Sequence, residues 1–398
     1  MKSLRELFRI GHGPSSSHTM APASAAEAFL ARYENAARFE VTLYGSLAAT
    51  GRGHFTDRAI SGVLREERTV IVWKPEITLP FHPNGMSFIA FDAAGKQLGE
   101  RTVYSVGGGA LKEADSPDDS VEVYPQRSMA EVMEYCRREG VPVWQLAETF
   151  EGSEIWDYLD EVLTRMFAAI DAGLSKDGVL PGGLHLARKA RAVYLKAKAQ
   201  RREIRRTGVL AAYAYAVGEE NASLGVVVTA PTCGSCGVLP SVLRYCQEAD
   251  KSSRTELLHA LATAGIVGNI VKRNGSISGA EVGCQGKVGV ACAMAAAAAA
   301  HLRGGTVPQI EYAAEIGLEH FLGLTCDPLL GLVQIPCIER TALAANRAVI
   351  ASEMALLTDG VHFVPFDAVV RTMLETGHDL PSLYRETSTG GLSKFVRC

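Results

Sequence analysis

The spacing of hydrophobic residues changes about one third of the way along the chain. In the first part, short runs of β-branched and aromatic residues end at Gly, Pro or Asn, which is typical of strands. These runs predict strands over residues 39–43, 69–73, 87–91 and 101–106. An Ala-rich segment before the first strand predicts a helix over 23–38, and a periodic segment between the first two strands predicts a helix over 57–64.

From residue 127 onward, apolar residues recur at helical spacing and strand patterns are nearly absent. The clearest apolar stripe comprises Ile155, Leu159, Val162, Leu163, Met166, Phe167 and Ile170. Further helices are predicted over 186–200, 210–217, 238–248, 257–271, 289–302, 310–321, 338–357 and 366–375. The alanine-rich run at 293–300 predicts a buried central helix, because alanine favours helix and lets neighbouring helices approach closely.

These patterns predict an α+β protein of two domains. The acidic segment 113–126 contains two prolines and reads as the connection between them. We therefore expect an N-terminal α/β substrate domain over residues 1–126 and an all-α domain over residues 127–398.

Composition excludes several classes of protein. With 398 residues, 40 Lys and Arg and 44 Asp and Glu, the net charge is −4, which implies no nucleic-acid partner. No apolar stretch is long enough to cross a membrane, and the first ten residues lack the apolar core of a signal peptide. Nine cysteines without a secretion signal indicate a reducing cytoplasm, where cysteines serve as ligands or core residues.

Three cysteines stand at glycine- or proline-marked turns, where the chain exposes side chains. Cys284, Cys326 and Cys337 are 42 and 11 residues apart, gaps that are too long for a zinc-finger pair. Three soft ligands without a fourth suit an iron–sulfur cluster with one iron left open for substrate. The pattern predicts that the fold brings these thiolates together around one inorganic centre.

Two loops near the N-terminus carry further candidate chemistry. Residues 13–19 (GPSSSHT) place short hydroxyls and His18 before a helix, an arrangement suited to holding a carboxylate or phosphate. The bland alternative is a plain helix N-cap. His54, in the glycine-rich loop 45–57, is a candidate proton acceptor, although a loop histidine is often incidental. A third glycine-rich strand end, residues 104–109, is equally explained by a tight turn.

The other cysteines allow more than one interpretation. Cys233 and Cys236 form a C-x-x-C before a helix, which reads as a redox pair, half a zinc site or an anion-facing helix start. The pattern favours the last reading, because no second ligand pair is present. Cys136, Cys246 and Cys292 lie on apolar helical stretches typical of core.

The motifs together resemble one family, the iron–sulfur-dependent L-serine dehydratases in their single-chain form. The resemblance covers nearly all 398 residues. It depends on GPSSSHT (13–19), YGSLAATGRGHFTD (44–57), YSVGGG (104–109), SISGAEVGCQGKVGVACAMAAA (276–297) and LGLTCDPLLGLVQIPCIER (322–340). Any one of these motifs alone would not be specific.

The resemblance implies a fold, a cofactor and site residues. It implies an N-terminal α/β domain and a helical domain that holds a [4Fe–4S] cluster through Cys284, Cys326 and Cys337, without pyridoxal phosphate. Cys398, after Gly390 and Gly391, is a candidate displaceable ligand.

The expected reaction is dehydration and deamination of L-serine to pyruvate and ammonia. We expect His54 to act as the base, with His18 as the less favoured base or a positioning residue. The substrate carboxylate is expected to bind donors from Ser15, Ser16, Ser17 and Thr19.

The sequence departs from the family pattern at four positions. Lys287 stands where an acidic residue is usual, Thr341 where Asn is usual, and Cys233 and Cys236 in a stretch without cysteines. These departures leave the substrate open. The same elimination on L-threonine or L-cysteine, a non-catalytic amino-acid sensor and a zinc protein that uses the C-x-x-C stay as alternatives. A homodimer is expected at the level of the family.

Overall fold

The strands of the N-terminal third form one five-stranded sheet. The computed structural model describes residues 1–114, 121–387 and 390–396. The strands are β1 (Ile10–His12), β2 (Arg38–Tyr44), β3 (Thr69–Lys74), β4 (Gly85–Phe91), β5 (Gln97–Ser105), β6 (Leu111–Lys112) and β7 (Val226–Val228). The large sheet has the order β3-β2-β4-β5-β6, and β1 pairs with β7 in a separate antiparallel ribbon.

Only β2 and β3 run parallel in the large sheet, and the remaining neighbours are antiparallel. A parallel pair requires a crossover connection, which two helices between β2 and β3 provide. One sheet face is covered by helix, and a core that includes Phe29, Phe39, Val41 and Phe88 fills the space between them. The crossover carries the loop with His54, so sheet topology fixes the position of that histidine.

Helices make up most of the remaining chain. They are α1 (Ala21–Arg32), α2 (Gly45–Thr50), α3 (Thr56–Leu64), α4 (Met129–Glu139), α5 (Gln145–Glu151), α6 (Ile155–Ser175), α7 (Ala190–Lys198), α8 (Arg202–Ala222), α9 (Val238–Ala249), α10 (Arg254–Asn274), α11 (Gly279–Val282), α12 (Val288–Leu302), α13 (Val307–Glu319), α14 (Cys337–Leu356), α15 (Phe366–Asp379) and α16 (Leu392–Phe395). The expected α+β class is confirmed.

Helix α12 is the centre of the helical domain. Every residue from 288 to 300 is buried, and α9, α10, α13 and α14 pack around it. The alanines leave little side-chain volume, so the surrounding helices come close on all sides. The prediction of a buried, alanine-rich central helix is confirmed.

The first residues of the chain belong to the core of the helical domain. Met1, Leu4, Leu7 and Phe8 are buried there, and β1 then pairs with β7, which follows α8. The chain enters the sheet unit only after it has passed through the helical domain. The first residues of the chain therefore pack with the helices and with β7, whereas the large sheet begins at β2.

The apolar patterns locate most elements within a few residues. Strands β2–β5 and helices α9, α12 and α14 lie where they are predicted. The three-residue strands β1 and β7 were not predicted, because a run this short has no measurable alternation. Helices α4 and α5 were missed because their short amphipathic turns lie beside the proline-containing segment.

No single helix in the described ranges is long and apolar enough to cross a membrane. The two-part unit formed by Gly279–Gly286 and Val288–Leu302, bent by 43°, meets that criterion only when both parts are counted together.

Close packing of α6 on α8 gives a stability prediction. A Cβ added at Gly173 would lie 2.2 Å from the backbone oxygen of Ala216, whereas one added at Gly62 in α3 meets nothing within 4 Å. We expect Gly173→Ala to lower the free energy of unfolding by about 1–3 kcal/mol despite its better helix propensity. The matched control Gly62→Ala should be neutral or stabilising by up to about 1 kcal/mol. Equal unfolding midpoints for the two variants would contradict this packing.

Candidate active site

A small cavity lies where loops of the sheet unit meet loops of the helical domain. Its polar lining comes from Ser15, Ser16, Ser17, Ser278, Lys287 and Glu386. Glycines at 107, 108, 234 and 279 form much of the remaining wall, which brings backbone amides close to any bound molecule. The cavity therefore combines small hydroxyl donors with one cation and one anion.

The hydroxyl-rich loop is held by its own hydrogen bonds. The Ser15 hydroxyl accepts from the backbone N–H of His18 at 3.1 Å, which starts the helical turn Ser16–Met20. The hydroxyls of Ser15 and Ser17 are 3.3 Å apart, and the Ser17 hydroxyl lies 2.8 Å from His18 Nδ1. All three serines predicted as carboxylate donors line the cavity.

Thr19, the fourth predicted donor, is placed differently. Its hydroxyl donates to the backbone oxygen of His54 at 2.8 Å and accepts from the backbone N–H of Ser15 at 3.2 Å. Thr56 makes the reciprocal contact by donating to the backbone oxygen of His18 at 2.6 Å. The two threonines therefore brace the histidine loops against each other, and Thr19 does not line the cavity.

His54 has one nitrogen free of hydrogen bonds. Its Nδ1 lies 2.9 Å from the backbone oxygen of Thr50, which assigns the proton to Nδ1. Its Nε2 is buried and has no hydrogen-bond partner, so a lone pair is left unused. Burial, followed by the proximity of His18, lowers the pKa of His54 to about 3. The side chain is therefore a neutral imidazole able to accept a proton.

His18 lies beside His54, with ring centroids 4.6 Å apart, but both of its nitrogens are engaged. Nε2 lies 3.1 Å from the backbone oxygen of Ser46, which assigns its proton, and Nδ1 accepts from Ser17. Burial lowers the pKa of His18 as well, so it too is neutral. Because His18 has no free lone pair, its hydrogen bonds favour a positioning role.

The three turn cysteines lie near Lys287, a residue of the cavity wall, and two of them are in contact. Cys284 and Cys326 share a hydrogen bond, which lowers the pKa of Cys284 to about 6 and raises the pKa of Cys326. Burial and the nearby charge of Cys284 raise the pKa of Cys337 to about 12. The ammonium of Lys287 and the guanidinium of Arg340 face this trio of thiols and stabilise negative charge on it.

The donor set distinguishes two kinds of metal centre. Within the described ranges, no group of three or more His, Cys, Asp or Glu side chains is arranged to hold a metal ion. A single ion needs all its ligands at about 2–2.3 Å from one point, whereas each cysteine of a cluster binds a different iron. Three nearby buried thiols that do not converge on one point thus fit a polynuclear iron–sulfur group better than a single zinc ion.

The C-terminal segment is attached next to Cys326. The Asp327 carboxylate accepts from the backbone N–H of Leu392 at 2.8 Å, and Ser393 donates to the backbone oxygens of Asp327 and Pro328. Cys398, the predicted fourth ligand, lies outside the described residues. The described part of the tail ends two residues before it.

Lys287 and Glu386 were not among the predicted site residues. Lys287 Nζ lies 2.8 Å from Glu386 Oε1 and 3.1 Å from Cys326 Sγ. Burial alone would raise the pKa of Glu386, but the charge and hydrogen bond of Lys287 together with the two nearby histidines outweigh it and lower that pKa to about 2. Glu386 reaches the site because residues 384–386 pair with Cys326: Cys326 N–H donates to the Tyr384 oxygen at 2.7 Å, and Glu386 N–H donates to the Cys326 oxygen at 2.8 Å.

The C-x-x-C motif is a buried turn. Cys236 N–H donates to the Cys233 oxygen at 3.2 Å, and burial raises the pKa of both thiols, which argues against a redox role. Both cysteines line a small space together with Cys337 and Thr341. Three of the four departures from the family pattern therefore lie around Cys337 or at the space it lines, and the fourth, Lys287, contacts Cys326.

Two family models match the chain. The serine dehydratase beta chain matches residues 3–70, and the serine dehydratase alpha chain matches residues 76–393. An L-serine dehydratase of Streptomyces coelicolor is 41% identical, covering 100% of this chain and 99% of the relative. L-serine dehydratase 1 of Escherichia coli is 39% identical with both chains fully covered, and an L-serine dehydratase of Helicobacter pylori is 36% identical with 100% and 99% covered.

The buried neutral His54 makes stability depend on pH. Its pKa falls from 6.5 in the unfolded chain to about 3 in the fold, so only the unfolded chain binds this proton between those values. Stability is therefore lost as pH drops below 6.5, by about 2 kcal/mol at pH 5 from this residue. We expect His54→Gln to lose less stability between pH 7 and pH 5 than the wild type in chemical unfolding. The exposed control His378→Gln should keep the wild-type difference, and the same difference in all three proteins would refute the assignment.

Proposed function

The chain belongs to the serine dehydratase family, and we propose that it converts L-serine to pyruvate and ammonia. That family is the iron–sulfur type of serine dehydratase. One observation supports the proposal: wall residues of a single polar cavity contact both an imidazole pair and a set of buried thiols. Ser17 lies against His18, which is beside the free nitrogen of His54, and Lys287 lies against Cys326. A proton acceptor and a metal-binding face are the two parts that removal of an α-proton and a β-hydroxyl requires.

We propose that Cys284, Cys326 and Cys337 hold a [4Fe–4S] cluster, with Cys398 as a fourth ligand that substrate displaces. A cluster bound there supplies a Lewis acid for a poor hydroxide leaving group. Support comes from the contact between Cys284 and Cys326 and from two nearby cations, Lys287 and Arg340, which compensate the charge of the thiols.

The chain's own side chains would bind and orient the substrate. Ser15, Ser16 and Ser17 present hydroxyls to the cavity and suit a carboxylate. His54 Nε2 then accepts the α-proton, while His18 keeps the serine loop aligned through Ser17. Loss of the α-proton and the β-hydroxyl leaves water and aminoacrylate. Aminoacrylate tautomerises to the imine, which hydrolyses to pyruvate and ammonia.

A base with a pKa near 3 is weak in the empty cavity. An entering carboxylate brings negative charge next to two neutral imidazoles, which favours the protonated form of His54. The proposed role of His54 therefore depends on substrate being present.

We also propose that the protein is a cytoplasmic homodimer. Light scattering on the purified protein would check the dimer.

Metal content tests the proposal directly. We expect protein purified without oxygen to contain iron and sulfide in equal amounts and to release pyruvate from L-serine, with less from L-threonine or L-cysteine. Cys284→Ala, Cys326→Ala and Cys337→Ala should each lose most of the iron. Cys292→Ala is the matched control, since Cys292 is an equally buried cysteine on α12, and Cys398→Ser should keep iron. Zinc in place of iron, or iron retained in all three variants, would overturn the cluster assignment.

The two histidines should differ in kinetics. We expect His54→Gln to lower kcat by about 10²–10⁴-fold, as loss of a general base does. His18→Gln should act mainly on KM, because it loosens the serine loop. Iron content should equal that of the wild type in both variants. A kcat for His54→Gln within tenfold of the wild type would exclude it as the base.

A further inference from the structure

We propose that Lys287 and Glu386 recognise the two charges of the substrate, with Glu386 binding the α-ammonium and Lys287 binding the α-carboxylate. The inference rests on the proposed function, because it assigns positions to the charged groups of an amino acid in that cavity. It adds two specificity-determining residues to the cavity wall, neither of which is among the site residues predicted from the sequence.

Both charged groups keep unused hydrogen-bonding capacity toward the cavity. The Lys287 ammonium has three donors, of which one meets Glu386 and one meets Cys326. Glu386 uses Oε1 for Lys287, and its Oε2 makes no hydrogen bond to any residue that the structure describes. This unpaired oxygen is not fully enclosed by protein, so it retains some accessible surface. One donor and one acceptor thus remain for a ligand.

The wall of the cavity is shaped to leave this pair accessible. A Cβ at Gly279 would lie 2.4 Å from Lys287 Nζ and 3.1 Å from Glu386 Oε2. A side chain at position 279 would therefore collide with the Lys287 ammonium and press against the Glu386 carboxylate. With glycine there, the side chains of Lys287 and Glu386 retain 10% and 7% exposure, and both line the cavity.

The charges are arranged as an amino acid would require. In a zwitterion the ammonium and carboxylate are attached to one carbon, so they match two opposite charges held side by side, here 2.8 Å apart. Glu386 also faces His18 and His54, which places the ammonium near the base that removes the neighbouring α-proton. The three serines complete the carboxylate site beside Lys287.

A purely structural role makes a different prediction. As a clasp for the C-terminal segment, the ion pair would hold residues 384–386 on Cys326, and breaking it from either side would loosen the same contacts. Loss of either partner would then weaken every ligand alike. Recognition of a zwitterion instead requires that the two variants fail on opposite halves of the substrate.

Two fragments of serine separate these roles. Ethanolamine keeps the ammonium and the β-hydroxyl, and 3-hydroxypropanoate keeps the carboxylate and the β-hydroxyl. Both are to be measured as inhibitors of the anaerobically purified wild type, Glu386→Gln and Lys287→Met. Iron and sulfide are counted in each sample, because Lys287 contacts Cys326.

We expect Glu386→Gln to weaken inhibition by ethanolamine about 10- to 100-fold and to leave inhibition by 3-hydroxypropanoate within about threefold of the wild type. Lys287→Met should do the reverse, and both variants should raise KM for L-serine. The control Glu353→Gln breaks the ion pair between Glu353 on α14 and Arg206 on α8. It should leave inhibition by both fragments unchanged. Where a variant loses iron, the shift in its thermal midpoint with each fragment gives the same comparison.

Two results would overturn the inference. One is an equal loss for both fragments in either variant, which would assign the pair to the clasp alone. The other is no loss in any variant. Failure of the proposed function looks different: the wild type would then release no pyruvate from L-serine, whatever the fragments show.

Discussion

The site depends on how the charges of its buried side chains are compensated, because these groups are largely removed from water. Isolated charges cannot be buried at an acceptable free energy, and here each has a compensating partner or is absent. Lys287 is balanced by Glu386 and the thiols, and the two histidines stay uncharged. The result is a polar cavity whose electrostatics are fixed before substrate enters, which is the condition under which a few dipoles act strongly on a reaction.

The two halves of the chain are joined by segments rather than by a single hinge. The first eight residues lie in the helical core, the next strand pairs with β7, and the serine loop follows at once. From the other end, residues 384–386 return to pair with Cys326. Both ends of the described chain thus converge on the cavity, and the site is built from parts that are far apart in sequence.

Sequence patterns were sufficient for the parts of this site whose chemistry is local. The serines, His54 and the turn cysteines each lie in a loop marked by glycine or proline, and the buried stripe of α12 follows from composition alone. Glu386 could not be found in this way, because it is 99 residues from Lys287 and sits in a polar segment that resembles any exposed tail. Thr19 shows the opposite error: its hydroxyl looks like those of its neighbours, yet the fold turns it toward the backbone of His54.

Helix α12 limits how this enzyme can change. Cys284 and Lys287 lie immediately before its first turn, so the helix sets where both side chains stand. Its buried alanines can neither grow without collision nor shrink without leaving a void, which gives the helix almost no mutational tolerance. We therefore expect substitutions that alter substrate choice to be tolerated in the loops around the cavity and not in the helix beneath them.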